Sequence, residues 1–587
     1  MSEKLNQYRQ ATILSQQNRL WPLYGAGFEN LGQNGQPITV DFPGFGPDEL
    51  LVRHDACGIC FSDIKVINAG EQHPRIFRDM KKEPVVLGHE VTLTIVGVGE
   101  NLREQYRVGD RFVVQAEIYY SGINYAYGYM IQGGMSQYSV IGERILHGDD
   151  GNYLLPIQPH TGYAESALAE PWACVVATYN QVYRTKLKAG GVTWIIGTPQ
   201  ARDDYFFSAG LDEHSHPAKL VLSHVPSTFE ARLRQQAARL GIEVVELPVE
   251  RQRIYDERLR HEERAVIHFD PLPPGFDDII ILGPDPDVIE AVSPHLLHFG
   301  IVAIVTDTPL PRPVEVDIGQ VHYHRSLYIG GPGPDIAGVY SRQPVRSEVK
   351  GGGKTWLVGA GGPMGHMHAQ TLLQADQPPG MLLCTALTGH RLATVESEFG
   401  PKARAKGIDF VCLSADDSNY QQRLAELAGV GFDDIIVLAP SAAAVSEAAA
   451  YIAEGGVVNV FAGLKRGTLV TLDLNLVCQR GVRFIGHSGS TIADLTHMLQ
   501  QVERGQLSPN HSVAAVGSLE AAREGYLAVR DAAFPGKIVI FPQIKPFPLT
   551  PLSELRDKLP SVYALLKEGK EWTLEAEQEF LELMLPF

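Results

Sequence analysis

"GFDDIIILGPDPDVIEAV", Gly275 to Val292, is spelled again as "GFDDIIVLAPSAAAVSEAA", Gly431 to Ala449, 156 positions later. Each passage enters through glycine, crosses an apolar run of strand length and leaves through helical spacing. The flanks repeat in the same order. "VTWIIG" at 192–197 answers "KTWLVG" at 354–359, and "VDIGQVHYHRSLYIGGPG" from Val316 answers "LDLNLVCQRGVRFIGHSG" from Leu472. Apolar strand runs alternate with helical stretches such as "FEARLRQQAARLG" (229–241) and "DSNYQQRLAELAG" (417–429). That alternation predicts a duplicated α/β domain built on a doubly wound parallel sheet.

The two Rossmann-like copies are expected at 190–350 and 351–510. Only the second is equipped for a dinucleotide. In "TWLVGAGGPMGHMHAQTLL" (355–373) a buried strand runs into Gly359, Gly361, Gly362, Met364 and Gly365 and then opens a helix. Those glycines allow a tight turn and a close backbone approach to pyrophosphate, while free N–H groups at the helix start attract phosphate. The first copy reads "TWIIGTPQARDDYFF" (193–207). Only Gly197 survives, Pro199 removes a donor, and Asp203 and Asp204 bring negative charge to the expected helix start, so this copy reads as a degenerate structural domain or as the site of a second, different ligand. After the second strand of the intact copy, an acidic residue would receive the ribose 2′-hydroxyl. Ala386 or Leu387 stands there instead, with Thr388, His390 and Arg391 close by, which favours a 2′-phosphate and hence NADP over NAD.

The chain has 587 residues, 44% hydrophobic and 20% charged, with a formal net charge of −18. It is too long for one core and too acidic for a nucleic-acid backbone partner. Its six cysteines are scattered apart from Cys57 and Cys60, which fits a reducing compartment and no disulfide framework. With no leader-like apolar core in the first twenty residues and no long apolar run, the expectation is a cytoplasmic protein without a membrane partner.

Ahead of the repeat stand "RHDACGICFSDIKV" (53–66), "PVVLGHEVTLTIVGVG" (84–99) and "ESALAEPWACVVATYN" (165–180). They carry Cys60, His89, Glu90 and Glu170, soft and hard ligands from three separated segments, as an open catalytic zinc site requires. These segments resemble the zinc-dependent medium-chain dehydrogenase/reductase family. With "HPRIF", "GAGGPMG" and "SGSTIADL" they are most similar to its sorbitol dehydrogenase and L-sorbose 1-phosphate reductase branch.

The resemblance implies a GroES-like β-barrel catalytic domain at 1–189, rejoined by 511–587, and reversible hydride transfer between a nicotinamide cofactor and a polyol, ketose or sugar phosphate. It implies that Cys60 and His89 are zinc ligands and that Glu90 and Glu170 supply the remaining carboxylate and water-held coordination. Ser62 would relay the substrate's proton, Asp63 would orient the histidine ligand, and Lys65 stands where many members have a relay histidine. The family's four-cysteine lobe is missing from "QAEIYYSGINYAYGYMIQGG" (115–134), so one catalytic zinc and no structural zinc are expected. Two readings from other classes remain: a zinc-free reductase and a non-catalytic dinucleotide-binding sensor.

Several features carry less. Arg75, Arg78, Lys81 and Lys82 form a basic stretch that would suit a phosphate, or simply a solvated loop. The tyrosines at 119, 120, 125, 127 and 129, and Trp172, are candidate pocket walls or packing. His214, His216 and His224 suggest metal only on paper. Since family members commonly pair by joining Rossmann sheet edges, the second copy could take a partner's place, giving a monomeric pseudo-dimer; a homodimer is the other expectation. The C-terminal stretch reads as a helical extension with a capping box at "TLEAE" (573–577).

Overall fold

The computed structural model describes residues 3–255, 263–272, 274–342, 344–487 and 489–586. They fall into two compact units. One comprises Met1–Ala177, Gly362–Met367 and Gly489–Phe587; the other comprises Thr178–Gly361 and His368–Ser488.

The first unit is built on an eight-stranded sheet. Leu50–Gly58, buried at every position, pairs antiparallel with Glu90–Val98, which leads through Arg111–Val114 to Leu154–Pro156. Tyr138–Ile141 also pairs with Leu50–Gly58. The C-terminal part closes the other side: Lys537–Phe541 lies antiparallel to Leu50–Gly58 and parallel to Val513–Ser518. Leu50, Val52, Val91, Leu93, Ile538 and Ile540 join one core across these strands.

The second unit holds two six-stranded, all-parallel sheets. The first runs Glu243–Glu246, Lys219–Ser223, Val192–Gly197, Phe276–Leu282, Leu296–Val305, Leu327–Gly331. The second runs Asp409–Ser414, Met381–Ala386, Lys354–Val358, Phe432–Val437, Ile452–Val460, Arg483–Gly486. Both have the strand order 3-2-1-4-5-6 of a dinucleotide fold. Matched anchors hold them. Asp277 accepts from Lys188 Nζ (2.7 Å) and the Val192 N–H (2.9 Å), as Asp433 does from Lys350 Nζ (2.7 Å) and the Lys354 N–H (2.9 Å). Trp194 and Trp356 donate to Ser223 and Thr385 on the neighbouring strand.

The copies face each other across an internal two-fold. Val314–Asp317 pairs antiparallel with Leu469–Leu472, Val314 opposite Leu472 and Val316 opposite Val470. A shift of 156 positions maps each of those pairs onto the other, the signature of an isologous contact. A Cβ on Gly330 would come within 2.5 Å of Cys478 Sγ, and one on Gly486 within 2.7 Å of the His322 Cα. Positions 322 and 478 are again counterparts.

The structure places the ends of the units and corrects two expectations. The first unit's opening segment ends at Ala177; beyond it Tyr183 packs against the first sheet's core and Arg184 meets Asp278 at 3.1 Å. The chain rejoins the first unit at Gly489, and Ile492, on the Ile492–Glu503 helix, packs against that unit's core. After Val192–Gly197 no crossover helix follows among the described residues, so Asp203 and Asp204 flank no helix start; Arg202 pairs with Asp204 and Asp307 instead. Lastly, Thr573 caps Leu574–Met584 through the Ala576 N–H, but Glu577 sits one position too late for a capping box. It accepts from the Tyr163 (2.6 Å) and Ala164 (2.8 Å) N–H groups at the start of Tyr163–Ala167.

Candidate active site

A fully buried strand ends at Gly58, and the chain turns at Cys60 into the Phe61–Ala69 helix. Asp63, in the first turn, accepts from the Cys60 N–H at 3.1 Å and so fixes the cysteine at the helix start. His89 immediately precedes the paired strand Glu90–Val98. Gly88 before it takes φ +103, with Cys57 Sγ 2.7 Å from where a side chain would begin, so only glycine fits.

This register brings the Cys60 thiol, the His89 imidazole and the Glu90 carboxylate together, with one ligand atom of each within 4.8 Å of the others. Asp63, fully buried, has Oδ1 3.2 Å from His89 Nδ1, which leaves Nε2 for the opposite side. Ser62 Oγ lies 3.4 Å from that Nε2. Glu90 is fully buried; Oε1 meets Lys537 Nζ at 2.5 Å, while Oε2 has no hydrogen-bond partner among the described residues. Lys537 also donates to the Ile59 carbonyl at 2.8 Å. Sequence reasoning misses this lysine's role, because nothing local ties it to a residue 447 positions away.

Glu170 is the fourth expected ligand. It is buried on Ala169–Thr178 but stands outside the three-residue cluster. Burial pushes its carboxyl up to about 7, with His89 opposing and Glu90 adding to the shift. Lys65 is solvent-exposed on the same helix as Ser62.

The candidate walls divide. Tyr129 is buried with its ring edge-on to His89, centroids 6.0 Å apart, so it borders the cluster. Tyr127 instead hydrogen-bonds His54 at 2.9 Å, Tyr125 packs on Phe77, and Tyr119 and Tyr120 form one arm of a short hairpin. Trp172 is fully buried and donates to Ser512, which makes it core and not a wall. In the basic stretch, Arg78 donates to the Met130 carbonyl and Lys82 pairs with Asp79, while Arg75 pairs with Glu117. His216 and His224 meet backbone carbonyls, and with His214 they join no metal-type cluster among the described residues.

In the intact copy, Lys354–Val358 turns through Gly359, at φ +91, into Pro363–Gln374. The Gly359 and Ala360 N–H groups donate to the Thr385 carbonyl (2.9 and 2.7 Å). A Cβ at Gly361 would lie 2.6 Å from Arg391 Cβ, whereas one at Gly362 would meet nothing within 4 Å, so that face of the turn is open. Met364 is half-buried and Gly365 buried in the helix. Thr388 stands just before Gly389–Ala405, its buried Oγ1 without a hydrogen-bond partner among the described residues; Leu387, His390 and Arg391 are exposed. No helix among the described residues is long and apolar enough to cross a membrane.

Residues 46–148 match the alcohol dehydrogenase GroES-like domain. Mannitol-1-phosphate 5-dehydrogenase of Aliivibrio fischeri is 27% identical over 315 residues, covering 50% of this chain and 71% of that protein. L-sorbose 1-phosphate reductase of Klebsiella pneumoniae is 26% identical, covering 50% and 72%. D-arabitol-phosphate dehydrogenase of Enterococcus avium is 30% identical over a shorter stretch, 26% of this chain and 42% of that protein.

Proposed function

We propose that this chain, which belongs to the medium-chain dehydrogenase/reductase family, interconverts a secondary alcohol of a polyol or sugar phosphate and the matching ketone, with NADP as hydride carrier. The observation that carries the reading is the meeting of Cys60, His89 and Glu90 in the GroES-like part of the chain.

The residues fit one zinc ion. A thiol, an imidazole and a carboxylate are the donor types zinc takes, and Glu90 Oε2 is a buried acceptor without a partner among the described residues. Cys60, His89 and Glu90 would hold the ion, with Glu170 as a second carboxylate nearby. When bound, zinc polarises the alcohol or carbonyl oxygen. Asp63 sets the His89 ring through Nδ1, fixing which nitrogen faces the site. Ser62 takes the substrate hydroxyl's proton and Lys65 passes it towards solvent. Lys537 balances the Glu90 charge. The nicotinamide cofactor supplies the redox chemistry and the chain supplies position. The open face at Gly362 suits a pyrophosphate, and Thr388 and Arg391, with no carboxylate at 386 or 387, suit a 2′-phosphate.

Zinc per chain, measured by elemental mass spectrometry beside the Cys60→Ala variant, tests the reading. About one zinc, lost in the variant together with NADP-linked polyol oxidation, is expected. A zinc-free protein never exposed to chelator would overturn it.

A further inference from the structure

Where the two copies meet, the last strands of their sheets, Leu327–Gly331 and Arg483–Gly486, border a cavity of about 110 Å³. The first copy lines it with Gly331, Val339 and Arg342, and the second with Cys478, Gln479 and Arg483. All of these lie within the second compact unit. The space is several times what a water molecule needs, which leaves room for a tetrahedral oxyanion.

One guanidinium from each copy reaches this cavity. Arg483 is only 4% exposed and is anchored, its Nη1 donating to the Val482 carbonyl at 3.0 Å, so it makes the floor. Arg342 is exposed at the mouth, and its side chain has no hydrogen-bond or ion-pair partner among the described residues. Its Nη1 lies over Gly331, 3.5 Å from where a side chain there would begin. No carboxylate lines the cavity. Asp335, at the head of the helix that Arg342 ends, is taken up by the Ser208 hydroxyl (2.6 Å) and the Ala337 N–H (3.1 Å). Burial pushes the Cys478 thiol up to about 12 against the pull of Arg483, so the thiol stays neutral. The internal two-fold shows that pairing of the copies does not need these arginines. A shift of 156 positions carries Arg342 to Met498, and the reverse shift carries Arg483 to Leu327, so the counterpart positions hold apolar side chains.

We infer that Arg342 and Arg483, with the Gln479 amide, bind a phosphate-sized oxyanion between the two copies, at a site that shares no residue with the metal-type cluster or the glycine turn. Each guanidinium offers a planar, bidentate fork that phosphate matches. A ligand held by both copies also fastens them to each other.

The test titrates inorganic phosphate calorimetrically into the full-length protein at constant ionic strength, with NADP present to occupy the glycine turn, beside Arg342→Met, Arg342→Lys and Arg483→Leu. Arg342→Met should weaken binding about tenfold, the loss of one charge-assisted contact, with Arg342→Lys recovering part. Arg483→Leu should abolish measurable binding; should that protein fail to fold, the variants at the exposed position 342 carry the test. Hydrogen exchange locates the ligand: phosphate should slow exchange at 328–331 and 477–483 in wild type and leave it unchanged in Arg342→Met. Repeating the titration with glycerol 3-phosphate identifies the source of the anion. Binding of both ligands, each weakened in Arg342→Met, supports a site for phosphoryl groups, and binding of phosphate alone supports a site for the free ion. Phosphate affinity untouched by both Arg342→Met and Arg483→Leu, slowed exchange confined to other segments, or heats reproduced by chloride overturn the site.

Discussion

Replacing Lys537 by Met should destabilise the first unit by about 3–5 kcal/mol in metal-free protein. Lys537 Nζ and Glu90 Oε1 are 2.5 Å apart with side chains 5% and 0% exposed. At an effective dielectric of about 20 their attraction is roughly 7 kcal/mol, set against several kcal/mol for removing each charge from water. Deleting the lysine removes the attraction, leaves the Glu90 carboxylate buried, and strips the Ile59 carbonyl of its donor. Glu90→Gln in the Lys537→Met background removes the stranded charge, so the double variant should recover about 2 kcal/mol of the loss. Urea unfolding of chelator-treated protein reads the effect through Trp21, Trp172 and Trp572, while Trp194 and Trp356 report the other unit as an internal reference. Thermally, the shift should be on the order of 10 °C. A single variant within about 1 kcal/mol of wild type, or a double variant equal to the sum of the singles, would refute the assignment of Lys537 as the counter-charge.

Burial would raise the Asp433 carboxyl, but Lys350 and the Lys354 N–H outweigh it and hold it below the usual range. A depressed folded-state value contributes stability above the unfolded value of about 4 and loses it as pH falls. With solvent screening the pair, Asp433→Asn should therefore cost about 1 kcal/mol at pH 7 and nothing near pH 2, by denaturant titration at both. Leu387→Asp, which offers the ribose 2′-hydroxyl a carboxylate and repels a 2′-phosphate, should lower the NADP-to-NAD ratio of kcat/KM about tenfold; an unchanged ratio counts against the cofactor preference. Light scattering should return one chain, 64.3 kDa, because the internal two-fold already occupies the paired face; a stable species of twice that mass would end the pseudo-dimer reading.

What is legible in the sequence, and what is not, follows from how far apart the interacting residues lie. The repeat announces its sheets because strand runs and glycine turns are local patterns, and a fixed offset of 156 carries them from one copy to the other. Cys60, Ser62 and Asp63 share one helical turn, so their grouping is local as well. His89 and Glu90 join them through the pairing of Leu50–Gly58 with Glu90–Val98, in which Gly58 stands opposite Glu90. Glu170 comes from a separate segment, and residue type alone gives no distance for it. Glu577 resembles a capping residue, yet its partners are 413 and 414 positions away. The crossover missing from the first copy does leave a trace: "TPQARDDYFFSAGLDEHSHP" (198–217) has proline, glycine and aspartate in place of a helical apolar period.

The degenerate copy separates what folding needs from what a dinucleotide needs. It keeps all six strands in order, the paired aspartates at the base of the fourth strand, and the tryptophan hydrogen-bonded across the first two strands. It has lost the glycine turn and the helix behind it, the two parts that present N–H groups to phosphate. What it retains also builds the face at Val314–Asp317 and the approach of Gly330 to Cys478. Arg483–Gly486 is the last strand of the intact sheet, and Gly486 lies against the His322 backbone with no room for a side chain. Without the first copy, that strand and the Val470 and Leu472 side chains would be left as a bare apolar edge, which proteins otherwise cover, charge or pair. The degenerate copy is thus best understood as a permanent cover for the intact one.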